Sequence, residues 1–400
     1  MVSVHSITAR ATDTAIAVRA LEEEAAKLDA AFDFLCVFYD EIHDDRLIHD
    51  FLSARFPGVP VLGGTSSGGA MSEKGLGGDG SIGLFAVADP DGDYGVGSAQ
   101  LEGDIASAAE RALHRALEQA GCPGELPELI WIYQAPGQEE AVIAGLRRVV
   151  GDRCPIIGGS SADNAVAGHW RQLGPEGPMT RGVAVGVLFT SGGISFAFQG
   201  GYAPTNTSGI VTQVADAATR GSGRVVLSID GKPAAEVYNR WTGGKIEHKL
   251  AGGNILMETT MFPLGIEVGR IGDVAHYLVI HPEQILDNGA LSTFANIAEG
   301  SRLFSMRGDR GHLINRAGKV ATAAAAALPG GANSLAGGLV VYCAGCRFAV
   351  GEEMDQVSAA IRESFGGMPF VGCFTFGEQG QVLGSNAHGN LMISAIAFGR

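Results

Sequence analysis

The 400-residue sequence contains few cysteines, and it lacks long apolar runs. Six cysteines in a chain of this length are too sparse for a disulfide scaffold. No apolar segment approaches the roughly 20 residues that a membrane-spanning helix requires, and the first ten residues lack the apolar core of a secretory signal. We therefore expect a cytoplasmic protein that does not associate with a membrane.

Basic residues are also scarce. The chain has 28 lysines and arginines against 43 aspartates and glutamates, which gives a formal net charge of −15, and no Lys/Arg-rich run is present. Nucleic acids and anionic membranes attract positively charged surfaces, so neither partner is expected. The sequence also contains no P-loop and no G-x-G-x-x-G between a strand and a helix, which argues against a nucleotide.

One short motif occurs three times, at Pro60–Ser67, Pro155–Ala162 and Pro369–Phe376. Each copy contains a proline, two apolar residues, a glycine, a small residue and then residues that include hydroxyl groups. In a chain with 60 glycines such a motif could recur by chance. The copies are followed and preceded by similar elements, however, and this favours an internal repeat.

The repeating unit has the predicted order β-α-β-α-β-β. In the second copy, Asp104 is a suitable N-cap, and apolar residues from Ile105 to Ala120 recur at helical spacing. The continuous apolar run Leu129–Tyr133 is typical of a strand that is covered on both faces. Equivalent helix N-caps are predicted at Asp13, Asp44 and Asp309.

These patterns predict a mixed α/β (α+β) fold of three units with mostly parallel pairing, because strand–helix–strand order favours parallel neighbours. Residues from about 191 to 300 break the repeat and contain alternating strands such as Ile194–Phe198 and Val225–Ile229. We expect them to form a β-rich insert between the second and third units. The predicted domains are residues 1–225 and 226–400.

The three motifs also indicate where a ligand would bind. Ligands of parallel sheets bind at the carboxyl ends of the strands, where glycine permits close approach of the backbone and hydroxyl groups donate and accept hydrogen bonds. We call residues 64–69, 159–164 and 373–378 the first, second and third motif loops. The predicted ligand-binding residues are Gly64, Thr65, Ser66, Ser67, Gly159, Ser160, Ser161, Asp163, Thr375 and Glu378 of these loops, together with Arg347.

The motif loops, the segment Asp230–Tyr238 and the stretch Phe365–Glu378 resemble the FIST sensory proteins, with a FIST N-like first half and a FIST C-like second half. The resemblance implies a non-enzymatic intracellular signalling module that binds a small ligand such as an amino acid. The repeats extend to Arg400, so the output is expected to reside in a separate partner protein, such as a histidine kinase.

An amino-acid-like ligand requires partners for both of its charges. Loop N–H groups, the serines of the first two motif loops and Arg347 are predicted to bind the carboxylate, whereas Asp163 and Glu378 are predicted to bind the ammonium group. Both acids could instead cap turns or form surface ion pairs.

A first alternative is a haem-based sensor, because some stand-alone relatives resemble haem-binding nitric-oxide sensors that regulate a histidine kinase. Their loop histidine corresponds here to Cys373-Phe374, and His169 is the best remaining axial ligand. No cofactor is therefore expected, and haem remains the alternative.

A second alternative is a cysteine-based redox or zinc protein. Cys343 and Cys346 form a C-x-x-C pair, and a zinc site would require Cys373 and His388 as further ligands. Small apolar cysteines at a strand end are the preferred interpretation.

The family pattern Cys-x-x-Arg is shifted here, so that Arg347 lies one residue later than expected.

The segment Gly64–Gly68 matches the hydrolase motif G-x-S-x-G. That motif requires a helix immediately after its serine. The glycines that follow Ser66 argue against a helix, and no enzymatic activity is expected.

Overall fold

The computed structural model describes residues 1–28, 30–215 and 223–400. The fold is mixed α/β, as predicted. Within the described ranges no helix has the length and apolar character needed to cross a membrane.

The first unit forms the first sheet. Its elements are β1 (Ser3–Arg10), α1 (Thr14–Ala25), β2 (Phe34–Tyr39), α2 (Asp45–Arg55), β3 (Val61–Thr65), β4 (Ala70–Ser72), β5 (Gly75–Leu76) and β6 (Ser81–Ala88). The sheet contains β1-β6-β2-β3 in that order. Asp13 and Asp44 cap α1 and α2, and each carboxylate accepts hydrogen bonds from first-turn N–H groups, as predicted.

The second unit forms the second sheet. Its elements are β7 (Asp93–Gln100), α3 (Ile105–Gln119), β8 (Leu129–Gln134), α4 (Glu139–Val150), β9 (Ile156–Ser160), β10 (Gln172–Gly174), β11 (Gly177–Met179) and β12 (Gly182–Phe189). The strand order β7-β12-β8-β9 matches that of the first sheet. Asp104 caps α3, as predicted.

The third unit begins with one strand and is then interrupted. The strand is β13 (Ile194–Gly200), and the interrupting elements are β14 (Ala203–Val214), β15 (Val225–Ile229), β16 (Lys232–Pro233), α5 (Ala234–Trp241), β17 (Gly253–Asn254), α6 (Leu256–Thr259), β18 (Leu264–Ile271), β19 (Val274–Ile280), β20 (Pro282–Ile285), β21 (Leu291–Thr293) and β22 (Arg302–Arg307). Strands β14 to β22 form one nine-stranded sheet, which we call the inserted sheet. The predicted domain division at residue 225 falls within this sheet, after the first residue of β15.

The third unit then resumes. Its remaining elements are α7 (Arg310–Ala326), β23 (Leu335–Cys343), α8 (Ala344–Val350), α9 (Met354–Ser364), β24 (Phe370–Thr375), β25 (Glu378–Val382), β26 (Ser385–Gly389) and β27 (Met392–Gly399). The third sheet has the order β13-β27-β23-β24. Asp309 caps α7, as predicted. The strand at Ile194–Phe198 was assigned to the insert, but it pairs with β27 and thus belongs to the third sheet.

The prediction of mostly parallel pairing is wrong. Among the described residues only β2–β3, β8–β9 and β23–β24 are parallel pairs. The closing strand of each unit returns to lie beside the unit's first strand and pairs antiparallel with it. Each parallel pair is therefore the central pair of an otherwise antiparallel six-stranded sheet.

Each of the three sheets is extended by a hairpin from another unit. Strand β10 pairs with β3, β25 pairs with β9, and β4 pairs with β24. The exchange is cyclic, because every unit gives one hairpin and receives one. It brings the carboxyl ends of the three parallel pairs, and hence the motif loops, to one place.

Candidate functional site

The three motif loops are in direct contact. They are joined in a closed ring by backbone hydrogen bonds from one loop to the next: Ser67 N–H to Phe374 O at 3.3 Å, Ala162 N–H to Thr65 O at 3.1 Å, and Phe376 N–H to Ser160 O at 3.0 Å. The prediction that these loops meet is thus confirmed. The ring also engages backbone donors that were expected to be free for a ligand.

The glycines of the loops admit neighbouring chain segments. A Cβ atom on Gly64 would lie 2.2 Å from the carbonyl oxygen of Arg171, and one on Gly159 would lie 2.4 Å from Cγ2 of Thr375. Both distances are far below van der Waals contact. Close approach at these glycines therefore serves the packing of one unit against the next.

The serine hydroxyls of the loops are buried. Ser66 Oγ donates to the carbonyl of Gly69 and accepts from the N–H of Phe374 at 2.8 Å. Because strand β4, and not a helix, follows the first motif loop, the strand-turn-helix arrangement of the G-x-S-x-G motif is not formed at Ser66. Ser67 is fully buried, and its Oγ has no hydrogen-bond partner within the described ranges.

The serines of the second loop fix polar neighbours. Ser160 Oγ donates to Oε1 of Glu139 at 2.8 Å, and Ser161 Oγ donates to the carbonyl of Gln134 at 3.1 Å. Both serines are fully buried. Ser160 thereby orients a carboxylate that lies at the edge of a cavity, as described below.

The carboxylate of Asp163 binds backbone N–H groups of the segment 165–169 that follows it. This buried carboxylate accepts four backbone hydrogen bonds, from Ala165 at 3.1 Å, Ala167 at 2.9 Å, Gly168 at 2.8 Å and His169 at 2.8 Å. These bonds fold the segment that leads to Trp170. The predicted role of Asp163 in binding an ammonium group stays a prediction.

Glu378 is fully buried beside Cys343. Its Oε1 accepts from Thr375 Oγ1 at 2.7 Å and its Oε2 accepts from the N–H of Met392 at 3.0 Å. Burial, and secondly the nearby Cys343 thiol, raise the pKa of Glu378 well above its usual value. Its role as an ammonium ligand also stays a prediction.

Arg347 lies against the first motif loop. Its guanidinium stands 5.5 Å from the ring centroid of Phe374, and its Nη2 is 3.9 Å from Oδ1 of Asp79. A Cβ atom on Gly68 would lie 2.0 Å from that Nη2 atom, so a larger residue at this position would require the guanidinium to move. Burial lowers the pKa of Arg347. Arg347 therefore lies beside the first motif loop at Gly68 and beside the third motif loop at Phe374.

The predicted zinc ligands do not assemble. All six cysteines are buried free thiols. His388 lies on β26 in the hairpin that extends the second sheet, where its Nδ1 is 3.0 Å from Oε1 of Glu140. Among the described residues the metal-type cluster is Glu139, Glu140 and His388, and it excludes Cys343, Cys346 and Cys373. His388 instead lies beside α4, because its hairpin extends the second sheet through the pairing of β25 with β9.

His169 is mostly exposed, and its Nδ1 is 3.3 Å from a carboxylate oxygen of Glu41. It is absent from the lining of the cavity described next.

A cavity of about 480 Å³ lies beside the motif loops, where the second and third units meet the inserted sheet. The second unit contributes Pro136, Gly137, Glu139, Val166 and Trp170, the inserted sheet with its loops contributes residues that include Arg224, Leu256, Met257, Thr260, His281 and Phe294, and the third unit contributes Cys343, Gly345, Phe348, Phe376 and Asn390. All three parts of the chain therefore form its wall.

A buried ion pair lies at this cavity. Arg224 Nη2 is 2.7 Å from Oε2 of Glu139 and 2.6 Å from Oε2 of Glu140. Burial acts to raise the pKa of both glutamates, but His388 and Arg224 outweigh it, so that both pKa values lie below their ordinary value. The glutamates also occupy the first turn of α4, where the helix dipole stabilises negative charge.

Two further features define the wall. The rings of Trp170 and Phe376 are in edge-to-face contact, with centroids 6.0 Å apart and an interplanar angle of 88°. His281 is buried, and its Nε2 lies 3.1 Å from the carbonyl oxygen of Leu256 and 3.4 Å from Oγ1 of Thr260. Burial lowers the pKa of His281 to about 4, so its ring is neutral at neutral pH.

Sequence reasoning missed Glu139, Glu140 and Arg224. The available signal was the pair of acidic residues in the first turn of α4. Arg224, which neutralises them, lies 85 residues away and on the inserted sheet, so nothing in the local sequence connects it with the glutamates.

Comparison with known proteins identifies family matches over most of the chain. The FIST N domain matches residues 33–232 and the FIST C domain matches residues 234–381. No curated protein matches the chain. Among solved structures, a cyanuric acid hydrolase from A. caulinodans is 10% identical, with 100% of this chain and 99% of that chain covered and a TM-score of 0.35. T. maritima PurL complexed with ATP is 9% identical, with coverages of 77% and 72% and a TM-score of 0.21.

Proposed function

We propose that this chain, which belongs to the FIST family, binds an amino-acid-like metabolite in the cavity between its core sheets and the inserted sheet. FIST domains are sensory domains of signal-transduction proteins. In this proposal the protein is a non-enzymatic cytoplasmic sensor, and its output is carried by a separate partner such as a histidine kinase.

The buried pair of Glu139 and Arg224 at the cavity is the observation that carries the proposal. Side-chain exposure is only 2% for Glu139 and 14% for Arg224, so both charges are largely removed from water. A zwitterionic head group satisfies such a pair, because its carboxylate binds the guanidinium and its ammonium group binds the glutamate. Neutral or singly charged ligands would leave one of the two charges without a new partner.

The positions of the motif loops support a binding site beside them. Ser160 holds Glu139, the Asp163 segment leads to Trp170, and the third loop carries Phe376. The hydroxyl groups of Ser66, Ser160 and Ser161 already have protein partners. The loops therefore support the cavity wall, and we assign the ligand to the cavity.

The same ion pair provides a route from ligand to output. Arg224 and the N–H of Asn296, which donates to Oε1 of Glu140 at 2.9 Å, both attach the inserted sheet to α4. A ligand carboxylate that binds Arg224 weakens this attachment. Binding would then shift the placement of the inserted sheet relative to the core, and a partner protein would recognise the shifted state.

The experiment is isothermal titration of the purified protein with the standard amino acids, followed by titration of Arg224→Gln and Glu139→Gln. Each variant should bind its ligand at least about 10-fold more weakly, because it leaves one charge of the head group unpaired. Arg147→Gln is the matched control, since Arg147 forms an exposed pair with Asp152. Absence of binding to the wild-type protein, or unchanged affinity in both variants, would overturn the proposal.

A further inference from the structure

We infer that the ligand of this cavity carries an aromatic ring, so that the recognised class is the aromatic amino acids. This inference rests on the proposed function, because it specifies the side chain of the ligand bound there. It depends on four aromatic residues, on the position of one of them beside the charged pair, and on the size of the cavity.

Aromatic side chains are concentrated at the cavity. Four of its 22 lining residues are Phe or Trp, whereas aromatic residues make up 7% of the chain. They are Trp170, Phe294, Phe348 and Phe376, and they come from four separate segments. All four are only partly buried, unlike the fully buried Phe374 and Tyr342 of the neighbouring core. Their exposed surfaces are therefore available to a ligand.

The ring geometry places an aromatic surface near the charged pair. The ring planes of Trp170 and Phe376 meet at 88°. In this edge-to-face arrangement the positive edge of one ring meets the negative face of the other. A Cβ atom on Gly377, the residue after Phe376, would lie 3.3 Å from Oε1 of Glu139. Glu139 and Phe376 both line the cavity, and we place the ligand's ammonium group at Glu139 and its side chain along Phe376.

The cavity size favours ligands larger than the smallest amino acids. Its volume of about 480 Å³ falls in the range of sites that enclose a small organic molecule. An alanine or serine ligand would leave most of the aromatic wall uncovered, and uncovered apolar surface contributes no dispersion or hydrophobic stabilisation. A benzyl or larger aromatic side chain covers that wall while its head group reaches Glu139 and Arg224.

The decisive experiment compares phenylalanine with cyclohexylalanine, which has a similar shape and greater apolar surface but no π system. Calorimetric titrations of the wild-type protein should also include leucine and alanine. We expect phenylalanine to bind more tightly than cyclohexylalanine, by roughly two- to tenfold for each ring pair formed. Leucine should bind more weakly than either, and alanine should show no measurable binding.

The variants Phe376→Leu and Trp170→Leu should each reduce the preference for phenylalanine over cyclohexylalanine. Phe51→Leu is the matched control, because Phe51 is a partly buried aromatic residue that lies on α2 and contacts Phe56. The control should retain the wild-type preference. A change of tryptophan fluorescence on binding that disappears in Trp170→Leu would identify the occupied site.

The outcomes separate this inference from the proposed function. If amino acids bind but cyclohexylalanine matches phenylalanine, or if a small or charged amino acid binds and phenylalanine does not, the aromatic class is overturned and the sensor proposal stands. If none of the standard amino acids binds, the proposed function fails and this inference fails with it.

Discussion

The Nη2 atom of Arg224 lies 2.7 Å from Oε2 of Glu139, although 85 residues separate the two in the sequence. Arg224 immediately precedes β15 of the inserted sheet, and Glu139 is the first residue of α4 in the second unit. The ion pair therefore connects the two parts of the protein across the cavity. Because the pair is buried, we expect it to be important for stability.

Arg224→Met should lower the free energy of unfolding by about 3–5 kcal/mol, because it leaves Glu139 buried with reduced charge compensation. Combining it with Glu139→Gln should recover part of the loss, since the uncompensated charge is then removed. Urea unfolding followed by circular dichroism measures both variants. Equal stability of the single variant and the wild-type protein would show that water solvates Glu139 in the folded state.

Stability should fall in acid because of the same cluster. The pKa values of Glu139 and Glu140 are lower in the folded protein than their ordinary value of 4.5. The unfolded chain therefore takes up protons first as the pH falls, and the stabilisation is present above about pH 4.5 and lost below it. Unfolding free energies between pH 7 and pH 3 should show this loss, and Glu139→Gln should reduce its magnitude.

Glu378 should have the opposite pH dependence. Its pKa is raised in the folded protein, so the folded state holds a proton that the unfolded state releases, and its contribution becomes less favourable as the pH rises above 4.5. Glu378→Gln should therefore equal or exceed the wild-type protein in stability at pH 7. Glu378→Ala should be destabilised, because the N–H of Met392 and the hydroxyl of Thr375 lose their acceptor. A less stable Gln variant would indicate that the carboxyl group is ionised.

Gly68→Ala should destabilise the protein by more than its backbone strain alone. Gly68 has a φ of +68° and Gly103 a φ of +65°, but only the Cβ at position 68 would meet another group, Nη2 of Arg347 at 2.0 Å. Gly103→Ala is the matched control, because no atom lies within 4 Å of its Cβ. We expect a loss of about 1 kcal/mol for the control from strain and a larger loss for Gly68→Ala. Melting temperatures would compare the two, and equal values would mean that Arg347 moves aside without cost.

The sequence predicted the local elements well. Asp13, Asp44, Asp104 and Asp309 all cap helices, because an N-cap aspartate acts on N–H groups within its own first turn. Strand order was not predictable in this way. Apolar runs indicate burial but not neighbours, so the antiparallel closing strands were mistaken for members of a parallel sheet. Hairpins such as β4-β5, with strands of three and two residues, are too short for a periodic pattern.

The candidate site could be predicted only in part, because a local sequence pattern does not show which distant segments meet. The three motif loops do meet, because the motif itself marks the ends of the parallel strands. The cavity next to them depends on Arg224, Trp170 and Phe376, which come from distant parts of the chain. No spacing rule connects these residues, and only the packing of the inserted sheet against the core brings them together.

The cyclic exchange of hairpins has a consequence for synthesis on the ribosome. Ser72 of β4 pairs with Val371 of β24, so about 300 residues must be translated between the two partners. The second sheet likewise receives its edge from β25 and β26, near the end of the chain. Until those segments emerge, the nascent protein exposes unpaired strand edges, which are prone to aggregation. We expect these sheets to be completed only after the later segments are available, and chaperones that shield the unpaired edges to favour correct folding.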